Sequence, residues 1–407
     1  MICKALDEFF LAWRLPAWYH GYRNPEDKGD LNMVKETIRD RIRGCLLGGA
    51  AGDALGYTVE FQMVGTIFDK YGKGGITRYE CHPQTGKALI SDDTQMTLFT
   101  ANGLLVGDTQ ACIEGLRIKP RQYVAEAYQD WLYTQRCVHQ ERDEMEQVSW
   151  LCDVPELHSR RAPGNTCLMA LHHAKRRYHV TDFIARSNNN SKGCGGVMRV
   201  APVGISMQGD MEQIDLEAAQ IAAITHGHSL GYMPAAVLSH IIHRLVYPQK
   251  PMTLKEIVLE AKETCEKLFR GDEHLLELTG LIDAAIALSE NDKRDVENIL
   301  TLGAGWVAEE TLAIAIYCSL KYSHDFSAGI IAAVNHSGDS DSTGAVTGNI
   351  LGALVGYEAI GDQWKTDLEC ADVILEMADD LCRMATEEFD VEQDPVWKRK
   401  YVDMHWK

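Results

Sequence analysis

Twelve cysteines are present, yet no two stand in a CxxC pair, which argues against a zinc ribbon or a redox dithiol. Positive charge is scarce as well: 40 Lys and Arg face 59 Asp and Glu, for a net charge of −19. Nucleic-acid backbones are held by Lys and Arg that neutralise phosphates, so broad binding of that kind is not expected. A local basic pocket for a small phosphate ligand stays open. No uninterrupted apolar run is long enough to span a bilayer. The N-terminal run FFLAW follows Asp7 and Glu8 and no small-residue cleavage site comes after it, so no secretory signal is expected. The cysteines then read as reduced thiols of a cytoplasmic protein. Period-two alternation is rare, β-branched residues seldom cluster, and there is no internal repeat of fixed period and no low-complexity tract.

What is present is helical. The chain has 407 residues, 45% hydrophobic and 24% charged, enough for one large globular domain or two ordinary ones. Apolar residues at helical spacing fill MVKETIRDRIRGCLLGGAAGDALG, PAAVLSHIIHRLVY, TLKEIVLEAKETCEKLF, AEETLAIAIYCSL and LECADVILEMADDLCRM. These predict an all-α protein, a bundle or orthogonal array of helices. The polar stretch RNPEDKGD divides an N-terminal extension, residues 1–33, from a main domain, 34–387, and residues 388–407 read as a C-terminal tail.

Two helical segments carry glycine every four residues: Gly44, Gly48, Gly52 and Gly56, then Gly344, Gly348, Gly352 and Gly356. Each glycine disfavours helix by about 1 kcal/mol against alanine, so four in a row need a compensating gain. Residues four apart share one helix face, and a glycine face lets another backbone approach. Both helices are expected to be central, with firmly held ends.

Acids crowd the starts of two helices. NHSGDSDSTGAVTG, residues 335–348, places Asp339 and Asp341 among Ser337, Ser340, Ser342 and Thr343. SDDTQMTLFTANGLL, residues 91–105, opens with Ser91, Asp92 and Asp93. One such residue suffices to cap a helix and to suit its dipole. Adjacent acids repel unless a cation or several donors compensate. Capping and metal binding both remain open on spacing alone; if a metal, then Asp and Ser/Thr oxygens suit Mg²⁺ or Mn²⁺, and four carboxylates could hold two ions.

Three further stretches are candidate site material. The glycine-rich NNNSKGCGGVMRVAPVG, residues 188–204, could let backbone approach a ligand, though it matches neither the P-loop nor the dinucleotide pattern. RAPGNTCL, residues 161–168, enters a helix with Asn165 or Thr166 as cap, and THGHSLGY, residues 225–232, sets His226 and His228 at a helix end. A histidine there serves structure through the helix dipole or lines a site.

Taken in order from about residue 38 to 360, GCLLGGAAGDALGYTVE, SDDTQM, RAPGNTCL, SKGCGGVMRVAPVG, THGH, GAGWVAEETLAIA and SGDSDSTGAVTGNILGALVG resemble the ADP-ribosylglycohydrolase family. Each motif alone is weak; the seven together are specific. The resemblance implies a compact orthogonal multi-helix bundle with a binuclear Mg²⁺ centre. Its metal motifs fall on Ser91, Asp92 and Asp93, with Ser91 where the family often has Thr, and on Asp339, Asp341 and Ser342. The glutamate after GDALG falls on Glu60, a gate or acid/base. Glu60, Asp93 and Asp341 are the proton-transfer candidates, with acid and base unassigned. ADP-ribose contacts are implied near Gly195, Gly196, Met198 and Arg199, and Asn165 and His226 are candidates for the same pocket. The implied activity is removal of ADP-ribose from modified protein side chains, arginine first, with serine, a nucleic-acid end or a free metabolite open as acceptors. An inactive crystallin-like relative is disfavoured because all the implied ligands are present. A different class of function rests on residues 9–22, which hold Phe9, Phe10, Trp13, Trp18, Tyr19 and Tyr22: an immunity protein that binds an ADP-ribosyltransferase toxin through this extension. The alternative is that these aromatics dock on the protein's own core.

Overall fold

The computed structural model describes residues 28–115, 119–136, 147–174, 180–187 and 189–403. The aromatic stretch 9–22 lies outside the described residues, and so does Asn188 of the glycine-rich loop. The described chain is all-α, as the spacing predicts. In order it runs through α1 (Lys28–Tyr57), α2 (Val64–Tyr71), α3 (Asp92–Glu114), α4 (Pro120–Thr134), α5 (Asn165–His173), α6 (Ala201–Ser206), α7 (Met211–Ala222) and α8 (Ser229–Val246). It continues through α9 (Leu254–Leu268), α10 (Leu275–Ser289), α11 (Asp295–Leu302), α12 (Ala308–Lys321), α13 (Phe326–Val334), α14 (Ser340–Val355), α15 (Ala371–Thr386) and α16 (Pro395–Tyr401). Among the described residues the only extended pairings are two isolated bridges, Ala88 with Leu368 and Gly193 with Val307. No described helix is long and apolar enough to cross a membrane. All ten described cysteines are free.

The two glycine helices pack on each other. A Cβ at Gly44 would lie 2.2 Å from the Gly352 carbonyl oxygen, at Gly48 2.5 Å from that of Gly348, at Gly52 2.0 Å from that of Gly344, and at Gly56 2.1 Å from that of Ser340. As one number rises by four its partner falls by four, so α1 and α14 run antiparallel with their backbones touching. The contact offsets the poor helix propensity of glycine by close packing. It also sets a register: the C-terminal end of α1 lies beside the N-terminus of α14. Asn349 locks the pair, its side-chain amide donating to the Cys45 carbonyl at 2.8 Å.

Around this pair, α3 is buried along most of its length and α4 crosses it closely; a Cβ at Gly103 would meet the Val124 backbone at 2.5 Å. The amphipathic α15 is clamped to α1 by Asp379, which accepts from Arg39 at 3.0 Å and from Arg43 at 2.6 Å.

Two helices run near the divisions read from the sequence. The division at residue 33 falls inside α1, which starts at Lys28 within the polar stretch; the first turns of a long helix can project past the core and need no apolar face. Residues 388–407 do not trail away where they are described. Trp397 and Tyr401 of α16 are buried, the Trp397 indole N–H donates to Thr109 Oγ1 at 3.0 Å, and the Tyr401 hydroxyl donates to Asp380 at 2.6 Å. The charged run of Lys398, Arg399 and Lys400 hides this short apolar face in the sequence.

Candidate functional site

The register of α1 against α14 brings three chain segments to one place. Asp339 caps α14, and Asp341 accepts from the Ser342 N–H at 3.0 Å. Ser91 caps α3, its hydroxyl accepting from the Asp93 N–H at 3.2 Å. The turn after α1 delivers Glu60. Its carboxylate and those of Asp339 and Asp341 lie with ligand atoms within 4.8 Å of one another, all three buried. The N-terminal ends of α3 and α14 both present positive dipole ends to these acids, which partly compensates their charge.

The sequence reading missed Asp53. It sits on α1 between the glycines, is fully buried, and accepts from the backbone N–H groups of Ser91 and Thr94, each at 3.1 Å, and from the Thr94 hydroxyl. It is therefore a second cap for α3, supplied by another helix. The signal was an acid inside a glycine-faced helix, at the G-D-A-L-G motif.

A cavity of about 710 Å³ opens over the cluster. Glu60, Asp92, Asp93, Asp339, Asp341 and Ser342 line it, together with Asn165, Gly195, Met198 and His226. Three predicted residues lie off its wall. Ser91 is buried beneath as the cap of α3. Gly196 packs against α8, where a Cβ would lie 2.3 Å from the Gly231 carbonyl oxygen. Arg199 is fully buried; its guanidinium stands 4.3 Å from the centre of the Tyr128 ring and donates to Thr225 Oγ1 at 2.6 Å. Thr225 in turn bonds His226 Nδ1 at 2.8 Å, so Arg199 braces the histidine from behind. Burial, with the Arg199 charge second, pushes the His226 imidazole down to about 3, so it stands neutral at the cavity wall.

The acids repel one another. Burial first and the Asp341 charge second push Glu60 up to about 9 and Asp53 up to about 7. The same causes, in the same order, raise Asp92, Asp93 and Asp339 well above the usual carboxylate range. Two of their oxygens, Glu60 Oε2 and Asp93 Oδ2, are buried without a hydrogen-bond partner. Unpaired buried carboxylate oxygens are costly, and a cation held by Glu60, Asp339 and Asp341 would satisfy the first of them. The oxygen donors fit a hard ion; the sulfur nearby, Cys194 Sγ, donates to Asp339 Oδ2 at 2.8 Å.

The chain is similar to several known proteins. The "ADP-ribosyl-[dinitrogen reductase] glycohydrolase" of Rhodospirillum rubrum is 26% identical over 362 residues, covering 87% of this chain and 99% of that one. The "ADP-ribosylarginine hydrolase Tri1" of Serratia proteamaculans is 24% identical over 353 residues, covering 86% and 81%. A solved structure described as an "ADP-ribosylglycohydrolase-related protein complex" shares the fold at a TM-score of 0.60 and 24% identity, over 86% of this chain and 99% of that one. The model of the family ADP-ribosylglycohydrolase matches residues 34–390, and with that span the chain belongs to the ADP-ribosylglycohydrolase family of ADP-ribosyl hydrolases.

Proposed function

We propose that this protein removes ADP-ribose from modified protein side chains, with arginine as the acceptor, and that a pair of divalent cations, Mg²⁺ or Mn²⁺, sits in the carboxylate cluster. The observation that carries the reading is the convergence of Glu60, Asp339 and Asp341 at the floor of the cavity, with two buried carboxylate oxygens left unpaired. The names of the two relatives, one acting on dinitrogen reductase and one on ADP-ribosylarginine, support ADP-ribose on a protein and favour arginine.

Asp92, Asp93, Asp339, Asp341 and Ser342 would hold the cations, with Glu60 beside Asp339 and Asp341. When bound, cations there would supply charge to orient ribose hydroxyls and a water and to stabilise developing negative charge. Hydrolysis adds water across the bond from ribose C1 to the guanidino nitrogen. One proton leaves the attacking water, and one reaches the departing nitrogen. Asp93, Asp341 and Glu60 would move these protons. His226, neutral and braced by Thr225 and Arg199, presents a hydrogen-bonding edge without adding charge, and Asn165 at the start of α5 adds an amide to the same wall. The two helix caps hold the acids on rigid elements, the condition for a site with fixed geometry.

The test is turnover of an ADP-ribosyl-arginine peptide by protein stripped with EDTA and then titrated with Mg²⁺ or Mn²⁺. Activity is expected to vanish on stripping and return with the ion. Undiminished hydrolysis in EDTA would sink the metal reading, and hydrolysis of a serine-linked peptide alone would sink the choice of acceptor.

A further inference from the structure

We propose that Phe61 and Trp306 form the acceptor-side platform of this site, two aromatic faces that receive the planar guanidinium of an ADP-ribosylated arginine. The inference rests on the hydrolase reading above and specifies which side chains hold the leaving group. Both rings line the cavity, and both are exposed, Phe61 at 74% and Trp306 at 44%. Large aromatics exposed together at a cavity mouth mark a binding surface more often than they serve stability. Their centroids are 6.0 Å apart with the planes 21° from parallel, so the two rings stack as a pair.

Their place along the cavity identifies what they meet. Phe61 follows Glu60 directly. The turn that carries it is pinned by the Gln62 N–H to the Val59 carbonyl at 2.9 Å and by the Val64 N–H to Ser337 Oγ at 2.7 Å. Trp306 stands on a loop fixed against the other acids: the Asp339 N–H donates to the Ala304 carbonyl at 2.8 Å, and the Cys194 N–H donates to the Trp306 carbonyl at 3.3 Å. Glu310 accepts from the N–H groups of Ala304 and Gly305 at 3.0 and 3.1 Å. The pair therefore stands beside the carboxylates, Phe61 next to Glu60 and Trp306 on the loop that meets Asp339, where the bond to the acceptor would break. A cation is the group that aromatic faces beside carboxylates favour, and guanidinium is the planar one. A serine-linked acceptor offers neither charge nor a plane to stack.

Four variants decide it: Phe61→Ala, Trp306→Ala, and the ring-preserving Phe61→Tyr and Trp306→Phe. Steady-state kinetics on an ADP-ribosyl-arginine peptide are read beside the Kd of free ADP-ribose by calorimetry, all in Mg²⁺. Each alanine variant is expected to raise KM roughly tenfold with kcat within about twofold, to leave the ADP-ribose Kd unchanged, and to be rescued by the ring-preserving partner. An unchanged KM overturns the proposal. So does an equal loss of ADP-ribose affinity, which would assign the rings to the adenine. A wild-type protein that cleaves only a serine-linked peptide overturns the acceptor reading itself, a failure seen before any variant is made.

Discussion

Replacing Gly52 by alanine puts a methyl carbon 2.0 Å from the Gly344 carbonyl oxygen and 2.4 Å from its carbon. Both are backbone atoms and cannot rotate aside. Reaching ordinary contact near 3.5 Å would separate α1 from α14 by roughly 1.5 Å. Alanine returns about 1 kcal/mol of helix propensity, against about 1–3 kcal/mol for overpacking. Each of the four positions in α1 should therefore lose up to about 2 kcal/mol, and stability alone will not tell them apart. Their distance from the acids will. A Cβ at Gly56 meets the Ser340 carbonyl and, at 2.6 Å, the Asp341 nitrogen, whereas at Gly44 it meets Gly352, Gly356 and Tyr357, some 18 Å back along the helix. A misplacement of about 1 Å at reacting groups costs on the order of a hundredfold in rate. Gly56→Ala is thus expected to lose at least about a hundredfold in turnover per folded molecule, and Gly44→Ala only a few-fold, at similar cost in urea unfolding. Equal turnover losses at the two positions would refute the idea that this interface sets the site. An alanine that stabilises by its full propensity gain would refute the backbone contact.

Asp92→Asn combined with Asp341→Asn should abolish hydrolysis and weaken Mg²⁺ binding while leaving the helical circular dichroism intact, since Asn can still accept the Gly164 and Ser342 N–H bonds. Full activity would remove the carboxylate cluster from the chemistry. Glu60→Gln should lower turnover more than it lowers Mg²⁺ affinity, measured by calorimetry, because its carboxylate is a proton-transfer candidate; unchanged turnover would leave Glu60 a structural residue. Trp397→Ala should cost about 3–5 kcal/mol in urea unfolding, with turnover per folded molecule preserved, because its contact at Thr109 lies near the far end of α3 from the acids.

The class of fold and the two acidic helix starts were legible because their signals are local: helical spacing, glycine every fourth residue, hydroxyl-plus-acid runs. What pairs with what was not. Gly52 and Gly344 reveal a shared face each, but only their contact shows that the faces are mutual and the helices antiparallel, and that relation is what seats Glu60 beside Asp341. Asp53 escaped notice because a cap is sought just before the helix it serves, and this one is delivered from α1, 38 residues away from Ser91. The family resemblance implies an ADP-ribose contact near Arg199, whereas its side chain is fully buried. Its partners Tyr128 and Thr225 come from distant segments, and no spacing rule points to them. The apolar face of α16 is two residues wide and sits in a charged run, too short a pattern to register against its neighbours.

The same geometry that suits a cation is a burden without one. Asp93 is 2% exposed, one of its oxygens has no partner, and burial and the charges of Asp341, Asp53, Asp92 and Asp339, in that order, disfavour its ionised form. Asp93→Asn removes one charge from this group and supplies amide N–H donors to the carboxylates around it. It forfeits part of a favourable interaction with the α3 dipole, about 0.3–1 kcal/mol, less than the relief of crowding a buried charge. In EDTA the variant should be more stable than the wild type by about 0.5–2 kcal/mol in urea unfolding. With Mg²⁺ the order should invert. An ion at a hundred times its Kd adds about 2.7 kcal/mol to the wild type, and the variant, short of an anionic ligand, gains less at the same concentration. The crossing of the two stability curves as Mg²⁺ rises is the signature of a site whose local strain belongs to its function. A variant less stable than the wild type in EDTA would mean that Asp93 is held by contacts that already compensate its charge, and the case for a cation at this end of α3 would fall with it.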